Sequence, residues 1–257
     1  MESSESRSAE SIATDYWLES SRPLVSLVFV IPLLLAYELG LVVLGPQAMR
    51  NGADLWLRWL LEWLGFGQFL VLPLATCCGL LAWHHVRGDR WRFPWPVLSG
   101  MLLESVLLGI LLLAVAHVQG SILAALQPAA WTTDAADPDG LDHLVAFLGA
   151  GVYEETLFRL LLLPLVAFGW QALGADRQHA LGLAVAVTSL IFAAAHYRLD
   201  LMLGDWHLVT EVGESFAWAS FLFRLVAGAF FSAVFLWRGF GIAVGTHALY
   251  DILVFLG

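Results

Sequence analysis

Long apolar stretches separated by short polar ones dominate the pattern of this 257-residue chain. A membrane-spanning helix needs about 20 mostly apolar residues, and seven stretches reach or approach that length. They are residues 24–44, 67–86, 97–118, 141–167, 180–202, 216–237 and 240–257. Helix is the expected conformation, because a backbone in lipid must satisfy its own hydrogen bonds and the period-two alternation of a membrane barrel is absent.

The composition supports the same conclusion. The chain is 60% hydrophobic and 13% charged, with a mean hydropathy of +0.77, whereas soluble domains are about half apolar and about a quarter charged. We therefore predict an all-α integral membrane protein, a bundle of seven or eight transmembrane helices in contact with membrane lipid. A net charge of −10 and the lack of a basic run predict no nucleic-acid partner.

A second kind of helix is predicted between the first two apolar stretches. In "ADLWLRWLLEWLGFG" (residues 53–67), Trp56, Trp59 and Trp63 recur at helical spacing, with Arg58 and Glu62 one turn apart on another face. This pattern is typical of an amphipathic helix at the membrane interface, with its tryptophans at the level of the headgroups. An ordinary connecting helix is the alternative.

We divide the chain into a polar N-terminal tail (1–22), N-terminal membrane helices (23–140) and a C-terminal helical core (141–257). The arginines indicate the topology, because cytoplasmic loops are enriched in basic residues. With a cytoplasmic N-terminus, seven arginines fall inside: Arg7, Arg22, Arg87, Arg90, Arg92, Arg177 and Arg238. We therefore predict that orientation.

The segment "GVYEETLFRL" (151–160) places three ionisable groups in an apolar stretch. Such groups are unfavourable in a membrane and are candidates for function. Glu155 and Arg159 are one helical turn apart and can form an ion pair. Glu154 points about 100° away around the same helix, so no nearby residue in the sequence neutralises it. A carboxylate in that position can take a proton from water.

Two further clusters follow, "FAAAH" (Phe192–His196) and "HALYD" (His247–Asp251). Three alanines let neighbouring helices approach closely, so His196 can reach another span. His247 and Asp251 lie one turn apart, so both can line one helix face, and Asp251 can orient His247. As drawn, the spans place His196 and His247 about 10 Å apart in height.

Glu154, His196, His247 and Asp251 come from three spans and make a polar centre if those spans pack together. Such a centre has two chemical uses. Glu154 can be the base for a water that attacks a peptide carbonyl, with a histidine and its partner stabilising the oxyanion. Alternatively, these four side chains can bind a divalent metal such as zinc, which then activates the water.

Other interpretations compete with hydrolysis. A single membrane histidine is usually a hydrogen-bonded packing residue, and we interpret Glu38 and Glu104 as structural. Buried acids and imidazoles also serve proton-coupled transporters, although the paired repeats common in transporters are not found in this sequence. A non-catalytic membrane scaffold or immunity protein is the third alternative, which the intact clusters disfavour.

The three clusters resemble a family pattern. "EETLFR" is similar to an EExxxR motif, "FAAAH" to FxxxH, and "HALYD" to Hxxx followed by a small polar residue. In this order they resemble the CPBP family of intramembrane proteases, which includes the CAAX prenyl endopeptidase and bacterial abortive-infection-type proteins. The resemblance covers residues 141–257. It implies an endopeptidase of the bacterial cytoplasmic membrane that acts on a lipidated or otherwise membrane-tethered peptide or protein.

The resemblance also implies roles for individual residues. Glu154 would be the catalytic glutamate, and Glu155 its neighbour, paired with Arg159. His196 would help Glu154 to hold the attacking water, and Phe192, the first residue of its motif, would support it.

His247 and Asp251 would stabilise the oxyanion according to the same resemblance. The prenyl endopeptidase branch has Asn where this chain has Asp251, and an ionised Asp lacks the donor that Asn offers. Asp251 must therefore be protonated to donate, or it serves in another way, for example as a metal ligand. The family is often called a metalloprotease, and a metal-free mechanism has also been argued, so the cofactor stays open.

Overall fold

The computed structural model describes residues 15–67, 70–92, 94–126, 140–198, 200–203, 206–209 and 213–256. Most of the predicted N-terminal tail lies outside these residues. Within these residues, nine α-helices follow a short helical segment at residues 15–20. They are α1 (Pro23–Leu44), α2 (Gly52–Trp63), α3 (Val71–Arg87), α4 (Trp95–Leu126), α5 (Gly140–Gly149), α6 (Leu163–Ala172), α7 (Arg177–Ala194), α8 (Trp218–Arg238) and α9 (Phe240–Leu256).

The predicted all-α membrane bundle is confirmed. Each of the seven apolar stretches coincides with a helix, the fourth with the helical run from α5 to α6. Among the described residues, four helices are each long and apolar enough to cross a membrane: α1, α4, α7 and α8. Many large apolar side chains are exposed on the outer surface, as expected for lipid contact. The number of membrane crossings stays a prediction.

Local sequence explains where several helices begin and end. Pro23 occupies the first turn of α1, where its missing N–H leaves no hydrogen bond unmade. Helix α3 ends at Gly88, whose φ of 68° lies in the left-handed region that favours glycine. Helix α7 begins after Asp176, whose carboxylate accepts hydrogen bonds from the backbone N–H groups of Gln178 and His179.

The run between α5 and α6 is not regular α-helix. Residues Ala150–Glu154 and Thr156–Leu162 form two π-helical segments. π-Helical turns are rare and often occur at functional sites, because they change which way the following side chains point. Glu154 and Glu155 therefore lie where the two π-helical segments meet.

Helix α9 lies at the centre of the bundle. Its first half, Phe240–Ala248, is entirely buried, and the helix packs against α1, α4, α8 and the first π-helical segment. Gly151 permits that last contact: a Cβ there would lie 2.7 Å from the Cβ of Ala248 and 2.9 Å from the carbonyl oxygen of Val244. This close approach brings the two glutamates next to His247.

The arginines near the N-terminal segment gather at one end of the bundle. Glu19 accepts hydrogen bonds from Arg22 (2.6 Å) and Arg92 (3.0 Å), and Arg238 donates to Ser20 at 3.0 Å. These three arginines were all predicted to face the cytoplasm, and they do share one end. Which side of the membrane that end faces stays a prediction.

Glu104 belongs to the same end of the bundle. Its carboxylate accepts two hydrogen bonds from Arg238 (2.5 and 2.7 Å) and one from the Tyr16 hydroxyl (2.6 Å). These contacts tie α4 and α8 to the N-terminal helical segment, in agreement with the structural role assigned to Glu104.

The predicted span 180–202 is too long. Helix α7 ends at Ala194, and an antiparallel hairpin follows, with β1 (Asp200–Leu203) paired to β2 (Trp206–Val209). The intervening backbone bonds to Glu214, which donates to the carbonyl of His196 (2.9 Å) and accepts from the N–H of Arg198 (3.0 Å). Because this partner comes from a distant part of the chain, the helical pattern alone did not reveal it.

Candidate active site

Glu154 lies on the wall of a cavity of about 600 Å³, the active-site cavity below. Its side chain is 9% exposed. One carboxylate oxygen, Oε1, accepts a hydrogen bond from Asn51 Nδ2 at 2.6 Å. The other oxygen, Oε2, is buried and has no hydrogen-bond partner among the described residues. A buried carboxylate oxygen without a partner is unfavourable unless a bound molecule donates to it.

Two histidines face this oxygen. His196 Nε2 lies 3.7 Å and His247 Nε2 lies 3.8 Å from Glu154 Oε2. The expected height difference between the two histidines is therefore wrong. The reason is local: α7 ends before His196, which lies in the turn that follows, and Gly151 lets the glutamate segment approach α9.

Each histidine is oriented through its other ring nitrogen. His196 Nδ1 lies 2.7 Å from the carbonyl oxygen of Phe192, and His247 Nδ1 lies 2.7 Å from Glu155 Oε1. A carbonyl and a carboxylate can only accept, so both Nδ1 atoms carry the proton. Both Nε2 atoms are then directed towards Glu154.

The predicted ion pair between Glu155 and Arg159 is present, with 2.9 Å between Glu155 Oε1 and Arg159 Nη1. Both side chains are buried, and Arg159 also donates to the carbonyl of Gly228 at 3.0 Å. The sequence did not reveal that Glu155 Oε1 also accepts a hydrogen bond from His247 Nδ1. Glu155 therefore joins two helices as well as neutralising a cation.

Aromatic rings enclose these groups. Phe231 stacks on His247, with ring centroids 4.3 Å apart. Phe192 meets His196 edge to face at 4.8 Å, and the Arg159 guanidinium carbon lies 4.5 Å from the centroid of the Phe192 ring. Rings packed in this way restrict the rotation of both imidazoles and exclude bulk water on that side. Phe192 thus contacts both His196 and Arg159, and its role in supporting His196 stays a prediction.

Asp251 lies on the opposite side of His247 from Glu155. Its Oδ2 is 3.7 Å from His247 Nε2, and it lines the active-site cavity. Glu155, rather than Asp251, thus holds the orienting bond to His247, in contrast to the sequence-based expectation. Asp251 instead faces the nitrogen that is directed at the reaction space.

The sequence analysis did not identify Asn51 as a residue of this site. It precedes α2, and its Oδ1 accepts the N–H of Ala53 at 2.8 Å as a helix cap. Its Nδ2 donates to Glu154 at the same time. Nothing local in the sequence indicated that α2 packs on the glutamate segment.

A buried ionic network holds α2 in that place. Asp54 is fully buried and accepts from Arg58 Nε (2.6 Å), Arg50 (3.1 Å) and the Tyr37 hydroxyl (3.1 Å). Arg58 also donates to Glu38 at 3.0 Å. This network joins α1 to α2 and agrees with a structural role for Glu38. On the opposite face Trp59 and Trp63 are exposed, as the amphipathic pattern predicted, whereas Trp56 is partly buried and lines the active-site cavity.

A metal remained one of the two options for this centre. Within the part of the chain that the structure describes, no group of three or more His, Cys, Asp or Glu side chains has the arrangement of a metal site. We therefore derive no step that depends on a metal. The geometry instead offers one carboxylate oxygen and two imidazole nitrogens to a small polar molecule.

Comparison with known proteins gives one family match. Residues 139–253, which contain Glu154, His196, His247 and Asp251, match the family model described as type II CAAX prenyl endopeptidase Rce1-like. No curated protein and no solved structure matches the chain significantly. The family match supports a CAAX-type intramembrane peptidase in an integral membrane protein. The resemblance to the CAAX protease family is thus confirmed over residues 139–253, a little under half of the chain.

Proposed function

We propose that this protein is an intramembrane endopeptidase in which Glu154 activates a water molecule to hydrolyse a peptide bond of a membrane-tethered substrate. One observation carries the proposal. The buried, unpartnered Oε2 of Glu154 is faced by the Nε2 atoms of His196 and His247, at 3.7 and 3.8 Å.

The first step is activation of the water. A water beside Glu154 Oε2 can donate one hydrogen to that oxygen and the other to His196 Nε2, since both atoms are acceptors when His196 is neutral. Its lone pair then faces the cavity. As the water oxygen bonds to the substrate carbonyl carbon, Glu154 takes the proton, which is general-base catalysis.

The second requirement is stabilisation of the oxyanion. His247 keeps one proton on Nδ1 through Glu155, and with a second proton on Nε2 it can donate to the developing negative charge. Asp251 Oδ2 lies 3.7 Å from that nitrogen, and in its protonated form Asp251 can donate a second hydrogen bond to the same oxyanion. When the C–N bond breaks, Glu154 returns its proton to the leaving nitrogen, and the products are a carboxylic acid and an amine; the acid then gives its proton to the amine or to water.

A second cavity supports a lipidated substrate. It measures about 680 Å³, is lined almost entirely by apolar side chains and lies between α2, α3, α6 and the second π-helical segment. Its walls include Leu57 and Thr156, while neighbouring residues of the same elements, Trp56 and Phe158, line the active-site cavity. A lipid chain held there would lie on the other side of these elements from Glu154.

The proposal is tested with purified protein in proteoliposomes. A quenched fluorescent peptide carrying a prenyl-modified cysteine is compared with the same peptide lacking the lipid, and the products are identified by mass spectrometry. We expect cleavage at a single bond and a strong preference for the lipidated peptide. We also expect a metal chelator to leave the rate unchanged. Proteoliposomes that cleave neither peptide but conduct protons would instead support a transporter.

Asn51 provides a test of how Glu154 is positioned. Replacing Asn51 with Asp retains the helix cap, since Asp caps as well as Asn, but it removes the donor to Glu154 and adds a negative charge. We expect kcat to fall by roughly 10- to 100-fold, the range for losing a hydrogen bond to a charged group. Thermal unfolding of the two proteins is the control, and an unchanged kcat would show that Asn51 does not hold Glu154.

Asp251 provides a test of the oxyanion site. An Asp251→Asn variant keeps the shape and gains an N–H donor, so we expect it to retain activity to within about tenfold. Asp251→Leu removes the polar group that residue 251 presents to His247 Nε2, and we expect a loss of roughly 100-fold or more in kcat. The two variants are compared in the same peptide assay. If Asn is as damaging as Leu, the negative charge itself is required.

A further inference from the structure

Arg224 lies on α8 and lines the active-site cavity together with Glu154, His196 and Asp251. Its guanidinium carbon is 5.0 Å from the centroid of the Tyr197 ring, and its Nη2 donates to Glu214 Oε1 at 2.8 Å. The ring and the carboxylate fix the plane of the guanidinium. The mechanism proposed above gives this cation no role.

The partner of Arg224 is easily exchanged. The Glu214 side chain is 64% exposed, whereas the Arg224 side chain is only 17% exposed. Ion pairs with a well-hydrated partner contribute little to stability, because water competes for the exposed carboxylate. A ligand can therefore take the place of Glu214 at small energetic cost.

Arg224 also has an unused donor. Its Nη1 is buried and has no hydrogen-bond partner among the described residues. A buried N–H donor without an acceptor is unfavourable, and more so on a charged group. An anionic ligand that enters the cavity can satisfy this donor and replace the bond to Glu214.

We propose that Arg224 binds a carboxylate of the substrate and so sets which peptides the enzyme accepts; this rests on the proposed endopeptidase function. The guanidinium offers two parallel N–H donors that match the two oxygens of a carboxylate. The carboxylate has two possible sources, the free C-terminus of the peptide or an Asp or Glu side chain near the cleaved bond.

The backbone places this anion site beside the reacting groups. The N–H of Glu214 donates to the carbonyl of His196 at 2.9 Å. Glu214 therefore contacts His196 through its backbone and Arg224 through its side chain. Gly213 permits the backbone contact: its φ is 125°, and a Cβ there would lie 2.9 Å from the His196 carbonyl oxygen. A carboxylate bound to Arg224 is thus close to the attacked bond.

Charge explains why a cation is needed there. The cavity wall already contains the acids Glu154 and Asp251, which would repel an anionic substrate group. Arg224 acts electrostatically on His196 and Asp251. Without it, the entry of a carboxylate into this cavity would be unfavourable.

The test measures binding in a Glu154→Gln background, so that turnover does not interfere. Three fluorescent lipidated peptides are compared in detergent micelles: one with a free C-terminus, one with a C-terminal amide, and one amide with an acidic side chain at its last position. We expect a carboxylate-bearing peptide to bind roughly 10- to 100-fold more tightly than the neutral amide. Which of the two anionic peptides shows the gain identifies the source of the carboxylate.

Three variants assign that preference to Arg224. Arg224→Gln should remove the preference: the affinity for the anionic peptide should fall to that for the neutral amide, and the affinity for the amide should stay unchanged. Arg224→Lys should keep part of the preference, as a point charge without the planar fork. Glu214→Gln should strengthen binding of the anionic peptide, because it removes the competing carboxylate.

Two results would overturn the inference: equal affinities of the three peptides in the Glu154→Gln background, or a preference that survives Arg224→Gln. The endopeptidase proposal is judged separately, by cleavage with Glu154 present. A protein that binds the anionic peptide through Arg224 but never cleaves it would refute the proposed function and leave the carboxylate site standing.

Discussion

A Glu154→Gln variant is expected to lose peptide cleavage by roughly 10²- to 10⁴-fold in kcat, the range that a general base contributes. Gln cannot accept a proton from water, yet its carbonyl oxygen can still accept the hydrogen bond from Asn51 Nδ2. The variant should therefore fold and insert as the original protein does. Initial rates in the proteoliposome assay, together with thermal unfolding of the purified proteins, measure both effects.

Glu62→Gln is the matched control for this prediction. Glu62 lies on α2, and its side chain is exposed and does not line the active-site cavity, so the same chemical change there should leave the cleavage rate unaltered. A Glu154→Gln protein that cleaves at the original rate would remove Glu154 from the mechanism. A protein that loses activity only because it unfolds would show a lowered melting temperature.

The largest expected effect on stability belongs to Arg159. Replacing it with Met leaves Glu155 buried without its guanidinium and leaves the carbonyl of Gly228 without its donor. Breaking a buried ion pair on one side destabilises proteins by about 3–5 kcal/mol. We expect a loss of that order in the free energy of unfolding, measured by detergent titration in mixed micelles, together with reduced activity because Glu155 orients His247.

Two comparisons make this prediction specific. Arg87→Met breaks the ion pair between Arg87 and Asp89, in which the Arg87 side chain is 39% exposed. This change should alter the free energy of unfolding by less than about 1 kcal/mol. The double variant Glu155→Gln, Arg159→Met removes both buried charges and should recover much of the loss. A loss below about 1 kcal/mol for Arg159→Met alone would indicate that His247 carries the compensating charge.

The elements of the fold were largely predictable from local pattern. Apolar stretches of the right length identified seven helical regions, and the spacing of Trp56, Trp59 and Trp63 identified the amphipathic helix α2. The pair Glu155–Arg159 followed from helical spacing as well. These features depend on residues within one or two turns of each other, so a single sequence contains them.

The end of α7 was not predictable in this way. The predicted span continued to residue 202, but backbone groups of His196 and Arg198 bond to Glu214, which lies well beyond one helical turn in the chain. The π-helical geometry around Glu154 was likewise absent from the prediction. Both features are set by contacts between separate elements, and these override the local preference for α-helix.

The sequence by itself determined which chemical groups this protein places in the membrane: one free acid, one paired acid, two imidazoles and Asp251. Only the tertiary structure decided their partners. Glu155 proved to orient His247, Asn51 proved to hold Glu154, and Arg224 proved to face the cavity. Hydrogen bonds and ion pairs act over a few ångströms, and Asn51 and Glu154 are 103 positions apart in the chain, so helix packing, rather than spacing along the chain, selects these partners.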